Sequence, residues 1–146
     1  MKKMLLILIV LFLIVFFSIY IVIINNQSNI RNLKKYNLEY ENYLGKTIYG
    51  TELATLINKT ISLNETNKIE KDEHNHYIEN EEDSIKINVK ILYTDKTYSM
   101  EEFYNKDIAE FIKFFNIEKF KCTNLEYHKK TGKISKMMFE QLENNN

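Results

Sequence analysis

Ile85-Lys86-Ile87-Asn88-Val89-Lys90-Ile91-Leu92 is the stretch on which the fold turns. Successive side chains of a strand point to opposite faces, so Ile85, Ile87, Val89 and Ile91 share one face of a strand. Lys86, Asn88, Lys90 and Leu92 share the other. A helix would scatter the four branched residues around its axis. A strand with one apolar face needs a sheet around it and a layer to cover it.

Downstream, Thr94-Asp95-Lys96 can turn the chain into a partner strand over Thr97 to Met100. Ser99 and Glu102 have the spacing of a capping box. Ile108, Phe111, Ile112 and Phe115 then line one helical face, in a helix that starts between 101 and 107. Two further strands are predicted at 118–128 and 133–142. Lys129-Lys130-Thr131-Gly132 joins them, with Gly supplying the turn.

Upstream, residues 64–83 hold eight acidic residues against Lys68 and Lys71. Their bulky apolar side chains are Ile69, Tyr77 and Ile78. That composition suits either a local hairpin around Asp72-Glu73-His74-Asn75 or a mobile loop. Before it, Gly50-Thr51 opens a helix with Thr51 as expected N-cap, Glu52 in the first turn and Leu53, Leu56, Ile57 and Ile61 on one face. Lys46 to Tyr49 reads as a short extended link after Gly45. From Asn25 to Leu44 a narrow stripe of Ile30, Leu33, Tyr36 or Asn37, Tyr40 and Leu44 continues a helical pattern.

The N-terminus is of a different kind. Met4 to Ile24 contains no charge. A helix of that length reaches roughly 31 Å at about 1.5 Å per residue, close to a hydrocarbon core of about 30 Å. The run is longer than a signal peptide's apolar region and is followed by Asn25-Asn26-Gln27-Ser28, without a small-residue cleavage pattern. Cys122 is the only cysteine, so a lipid-modified cysteine behind the run is excluded, as is an internal disulfide framework. Lys2 and Lys3 abut the apolar run, whereas Arg31, Lys34 and Lys35 stand off from it. This asymmetry predicts a cytoplasmic N-terminus and an outward-facing remainder.

The expected organisation is a transmembrane signal anchor over 1–24, a helical stalk over 25–44 and an extracytoplasmic α+β domain over 45–146. The fold class is α+β, with a small antiparallel sheet in ββαββ order and helices packed on one of its faces.

Composition bounds function from outside. Setting Lys2 and Lys3 aside leaves 18 basic against 20 acidic residues, a net of −2 that gives no field to attract nucleic acid. The lysine, asparagine and isoleucine bias is what an A+T-rich genome imposes. The chain's three glycines supply no phosphate-cradling loop, and neither Gly-x-Ser-x-Gly nor His-Glu-x-x-His occurs. His74 and His76, beside Asp72, Glu73 and Glu79, are metal-ligand types in a segment without bulky supports. His128 and Cys122 sit six residues apart on one predicted strand, about 20 Å, too far for a nucleophile and its base. Cys122 itself falls in an apolar pattern and reads as a buried thiol. Lys119, Lys121, Lys129, Lys130, Lys133 and Lys136 should form a solvated face of the last hairpin. Asn58-Lys59-Thr60 and Asn64-Glu65-Thr66 are formal glycosylation acceptors in an Asn-rich chain.

No catalytic, cofactor-binding or metal-binding residue is therefore assigned, and the chain reads as a non-enzyme. Its expected partners are the bilayer, through residues 4–24, and an envelope protein or wall polymer. A metal-dependent envelope enzyme built on His74, His76 or His128 is the rival class.

The basic start, the single span, the polar helix and Tyr49-Gly50-Thr51-Glu52-Leu53-Ala54-Thr55-Leu56-Ile57-Asn58 together resemble small uncharacterised membrane-anchored proteins of low-GC Gram-positive bacteria. The resemblance implies no activity. In outline the helix-then-sheet order is also similar to type IV pilins, although residues 1–24 lack the Gly and Glu of a pilin leader. An accessory, pilin-shaped surface protein is what that likeness implies.

Overall fold

The computed structural model describes residues 2–143. They form two compact units divided between Tyr36 and Asn37. Helix α1 (Lys2–Glu41) supplies the first unit and, in its last residues, part of the second. Between Ile7 and Ile24 its large apolar side chains are about half-exposed or more. Among the described residues this is the one helix long and apolar enough to cross a membrane. Ser18, one of two residues in the run with a polar side-chain group, donates its hydroxyl back to the carbonyl of Ile14 at 2.7 Å and is thereby satisfied.

The second unit is built on a five-stranded sheet. Its strands are β1 (Thr47–Tyr49), β2 (Lys86–Ile91), β3 (Lys96–Ser99), β4 (Lys119–Tyr127) and β5 (Ile134–Gln141). Their spatial order is β1-β4-β5-β2-β3. The β2–β3 and β4–β5 hairpins form as the sequence predicts, but they join through a parallel pairing of β2 with β5, Ile87 opposite Met137 and Val89 opposite Phe139. The sheet is therefore mixed, not antiparallel. Alternating patterns look alike in both pairings, so the sequence could not distinguish them.

Two more corrections concern element order. Residues 46–49, expected as a link, contribute β1, which pairs antiparallel with β4. Between the two hairpins the chain makes two helices instead of one, α3 (Met100–Asn105) and α4 (Ile108–Phe115). Asp107, at φ 95°, breaks them apart, and its side chain accepts from the N–H of Ala109 at 2.9 Å to start α4. Met100, expected in the partner strand, begins α3. The half of the capping box made by Glu102 is present, accepting from the Ser99 N–H at 3.1 Å.

Helix α2 (Gly50–Thr66) starts one residue before the expected cap, so Thr51 lies inside its first turn. Gly50 has to be glycine for a steric reason: an added Cβ would meet the Phe115 carbonyl oxygen at 1.9 Å. Gly45, at φ 74°, takes the left-handed turn after α1, and its N–H reaches the Cys122 carbonyl at 2.8 Å.

The buried layer joins Leu53, Leu56, Ile57 and Ile61 of α2 to Ile87 and Val89 of β2, Phe120 and Cys122 of β4, and Met137 and Phe139 of β5. Phe111 of α4 stacks toward Phe120 at a ring separation of 6.0 Å. Two asparagines stand in for missing backbone partners. Asn64 on α2 donates to the Ile85 carbonyl at 2.8 Å and accepts from its N–H at 3.0 Å. Asn37 on α1 does the same for the Gly132 carbonyl and the Ile134 N–H, at 2.8 and 3.0 Å. Each fixes where a central strand begins.

Residues 67–83 take the hairpin alternative. Asp72 Oδ1 accepts from the N–H groups of His74 and His76, both at 2.9 Å, and Lys71 bridges Tyr77. The buried Glu101 accepts from the Tyr77 N–H at 3.1 Å, and the Tyr77 hydroxyl donates to the Ile61 carbonyl at 3.3 Å. Burial first, then the nearby Glu65 and Glu101 charges, pushes the Tyr77 phenol up to about 12.

Candidate functional site

A polar cleft of about 440 Å³ lies between residues 79–81 and the end of the β4–β5 hairpin. Its first wall owes its shape to Asn80. The Asn80 Oδ1 accepts from the N–H groups of Glu82, Asp83 and Ser84 at 3.0, 2.9 and 2.9 Å, which curls four residues around one side chain. Its Nδ2 donates to Asp83 Oδ1 at 2.9 Å.

The second wall is the hairpin turn. Gly132, at φ 70°, lets the chain reverse, and its N–H reaches the His128 carbonyl at 2.8 Å. His128 is buried and its Nε2 lies 2.6 Å from the Ser84 carbonyl. A carbonyl can only accept, so Nε2 carries the proton and donates. Thr131 Oγ1 donates to the Glu82 carbonyl at 2.8 Å, and Lys130 pairs with the Glu82 carboxylate. These three bonds fasten the 80–84 turn to the hairpin. The Glu82 partnership raises the Lys130 ammonium pKa.

Charge in the cleft is mixed. Glu79 lies 3.5 Å from both Lys86 and Lys136, and Glu126 lies 3.7 Å from Lys136. Tyr127 donates its hydroxyl to Glu41 at 3.1 Å, while burial and that carboxylate raise its phenol pKa.

A register shift in β4–β5 completes the site. Glu126 faces Lys136 and Tyr127 faces Ile134, so Ser135 is the extra residue, and it lines the cleft. Such bulges re-aim side chains at strand ends.

The residues singled out in the sequence are dispersed. The His74 side chain is solvent-exposed, with its Nε2 3.6 Å from Glu73, and His76 is half-buried on the 71–77 hairpin. No group of three or more metal-ligand side chains occurs among the described residues. Cys122 is buried in the sheet core; burial pushes its thiol up to about 11, although its Sγ can donate to the Asn124 carbonyl at 3.8 Å. Of the three histidines and the cysteine, His128 lines the cleft, together with Glu79, Lys129 and Lys130. Lys119, Lys121, Lys129 and Lys130 are solvent-exposed, and Lys133 and Lys136 are half-buried.

Sequence reasoning missed Asn80 and Ser135. The Asn80-Glu81-Glu82-Asp83-Ser84 run carried a turn signal, whereas nothing local marks Ser135 as a bulge.

A second, apolar groove of about 150 Å³ runs between α3 and α4, floored by Phe103, Phe111 and Phe115.

No protein-family model, curated protein or solved structure matches this chain.

Proposed function

We propose that this chain is a single-pass membrane protein with a cytoplasmic N-terminus, held by residues 4–24, whose folded unit faces outward and binds another envelope component without catalysing a reaction. The observation that carries it is α1. One helix bears an unbroken apolar run with exposed side chains at its start and, from Asn37 on, side chains that belong to the core of the folded unit. A cleaved leader has no reason to share a helix with core residues such as Tyr40, which is 1% exposed. Support for binding over catalysis comes from the partners of the charged groups. Glu79, Glu82 and Glu126 are engaged by lysines, and His128 by a carbonyl, in arrangements that hold structure together.

The test is topological. With Glu73→Cys, whose side chain is 86% exposed, a membrane-impermeant thiol reagent should label intact cells. Full-length protein, with Met4 to Ile24 still attached, should be found in the membrane fraction. Labelling only after lysis, or a mature form starting beyond Ile24, would overturn the reading.

The pilin-shaped accessory alternative draws on the same feature, a long N-terminal helix ending in an α+β unit. It requires helix-to-helix assembly, so cysteines placed along residues 7–24 should cross-link into ladders beyond a dimer.

A further inference from the structure

We infer that the cleft between residues 79–81 and the β4–β5 hairpin is a binding site for a neutral, hydroxyl-rich ligand, namely sugar units of a polysaccharide. This rests on the outward-facing binding module proposed above and names the ligand class for it.

Size and stiffness come first. About 440 Å³ is within the usual range for small-ligand sites, roughly 300–1,000 Å³. Both walls are fixed before any ligand arrives: Asn80 shapes one, and His128, Thr131 and Lys130 fasten it to the other. A preformed site loses little to ordering on binding.

Lining chemistry then removes the other classes. Glu79, Glu81 and Glu126 repel a polyanion, and Lys130 is already committed to Glu82. A metal ion would have to displace Lys136 from Glu79 and Glu126. An apolar molecule would strip water from these charges with nothing to replace it. A neutral polyol fits instead. Its hydroxyls donate to the carboxylates and accept from Lys129 and from the Ser135 hydroxyl.

Two details favour a ring-shaped polyol. Tyr127 is 45% exposed and lines the cleft, and its hydroxyl is tied to Glu41, which holds the side chain in place. The bulge delivers Ser135 to the same cleft at a position where a regular ladder would have paired it. The C–H face of a pyranose stacks on an aromatic ring while its edge meets the polar groups.

The experiment uses the full chain in lipid nanodiscs, because glycoside detergents would compete. Cello-, chito- and maltotetraose are titrated beside tetragalacturonate as the anionic counterpart, read by calorimetry and by ligand-observed NMR. At least one neutral tetrasaccharide should bind. Glu126→Gln should weaken it about tenfold or more, the loss expected for one hydrogen bond to a charged group, and Tyr127→Ala should weaken it by about as much through the lost stacking face. Tyr127→Phe should keep the stacking face and stay within about threefold by the same scale. Lys106→Ala, on the α3–α4 side, should change nothing. Near-native thermal melts would show that the variants are folded. No binding by any neutral tetrasaccharide, binding indifferent to Tyr127 and Glu126, or stronger binding of tetragalacturonate would overturn the site. Cell labelling at position 73 is an independent arm. Success there with failure of the sugars defeats the cleft alone, and labelling only after lysis defeats the outward orientation.

Discussion

Residues 7–24 and residues 85–91 are both dominated by Ile, Val and other apolar side chains, yet they have opposite fates. In α1 the large apolar side chains of that run stand in the open, from 45% for Ile21 to 67% for Phe12. In the strand, Ile85, Ile87 and Val89 are all 0% exposed. What separates them is spacing. Lys86, Asn88 and Lys90 interrupt the strand at every second position, so one face is left for water and the other can be covered by a single layer. The α1 run offers no polar face, and no one-sided layer could cover it. Such a run is long and apolar enough to cross a bilayer, which would surround it on every side.

The largest effect should come from breaking the first member of this pair. Leu11→Asp combined with Val15→Asp puts two carboxylates near the centre of the run, at a cost of about 5–7 kcal/mol on the insertion scale. The protein should move from the membrane fraction to the soluble or aggregated one, as fractionation would report. Retention in the membrane would mean that the run is not what holds it there.

Next comes the covered face of β2. Ile87 packs opposite Met137 with no solvent exposure, so Ile87→Ala should destabilise the folded unit by roughly 2–5 kcal/mol through lost burial and a cavity. Lys86, its neighbour on the other face, bonds Glu79 at the surface, and Lys86→Ala should cost no more than about 0.5 kcal/mol. Denaturant titration of the two variants measures the contrast. Equal, small losses would break the one-sided reading of the strand.

Periodicity is also the measure of what was legible. It was sufficient for α2, β2, β4, β5 and the apolar run, because in each the spacing alone decides which side chains need cover. It was insufficient where a single polar group decides. Residues 46–49 became a strand because β4 offered them a free edge, with Ile48 opposite Phe120. The 100–115 segment split because Asp107 could adopt φ 95° and cap α4. Asn64 and Asn37 supply bonds to the backbone where β2 and β5 begin, 21 residues or more away, which no local pattern announces; the sequence offered Asn64 only as a formal glycosylation acceptor. At the candidate site, His128 was visible but its partner Ser84 was not, because 44 residues separate them.

Asn64 gives the third test. Asn64→Leu keeps the size and apolar fit of the position but leaves the Ile85 N–H and carbonyl buried without partners. The loss should be about 2–3 kcal/mol, less than the cavity left by Ile87→Ala and far more than a surface change. Asn64→Asp separates the two bonds, since a carboxylate still accepts from the N–H but cannot donate to the carbonyl. If both variants melt like the parent, the asparagine does not set the start of β2.

The smallest effect is confined to the 71–77 hairpin, which has neither a charge-free run nor a two-residue period and depends on one carboxylate. The N–H of His76 holds the Asp72 carboxyl below the usual carboxylate range against the opposing effect of burial, and the His74 N–H and the nearby imidazoles lower it further. A carboxylate whose pKa is lower folded than unfolded adds stability above its unfolded value, about 3.9, and loses it as pH falls through the lowered folded value. The Asp72 contribution should therefore be fully present from neutrality down to about pH 5. Below that the His74 and His76 amides should lose protection together, because one carboxylate oxygen serves both. Asp72→Asn keeps an acceptor oxygen and removes the titration, so its amides should remain protected through the same acid range. Amide exchange followed by NMR reads both variants residue by residue. Loss of protection in Asp72→Asn at the same pH as in the parent would show that the Asp72 carboxylate is not the source of the acid sensitivity.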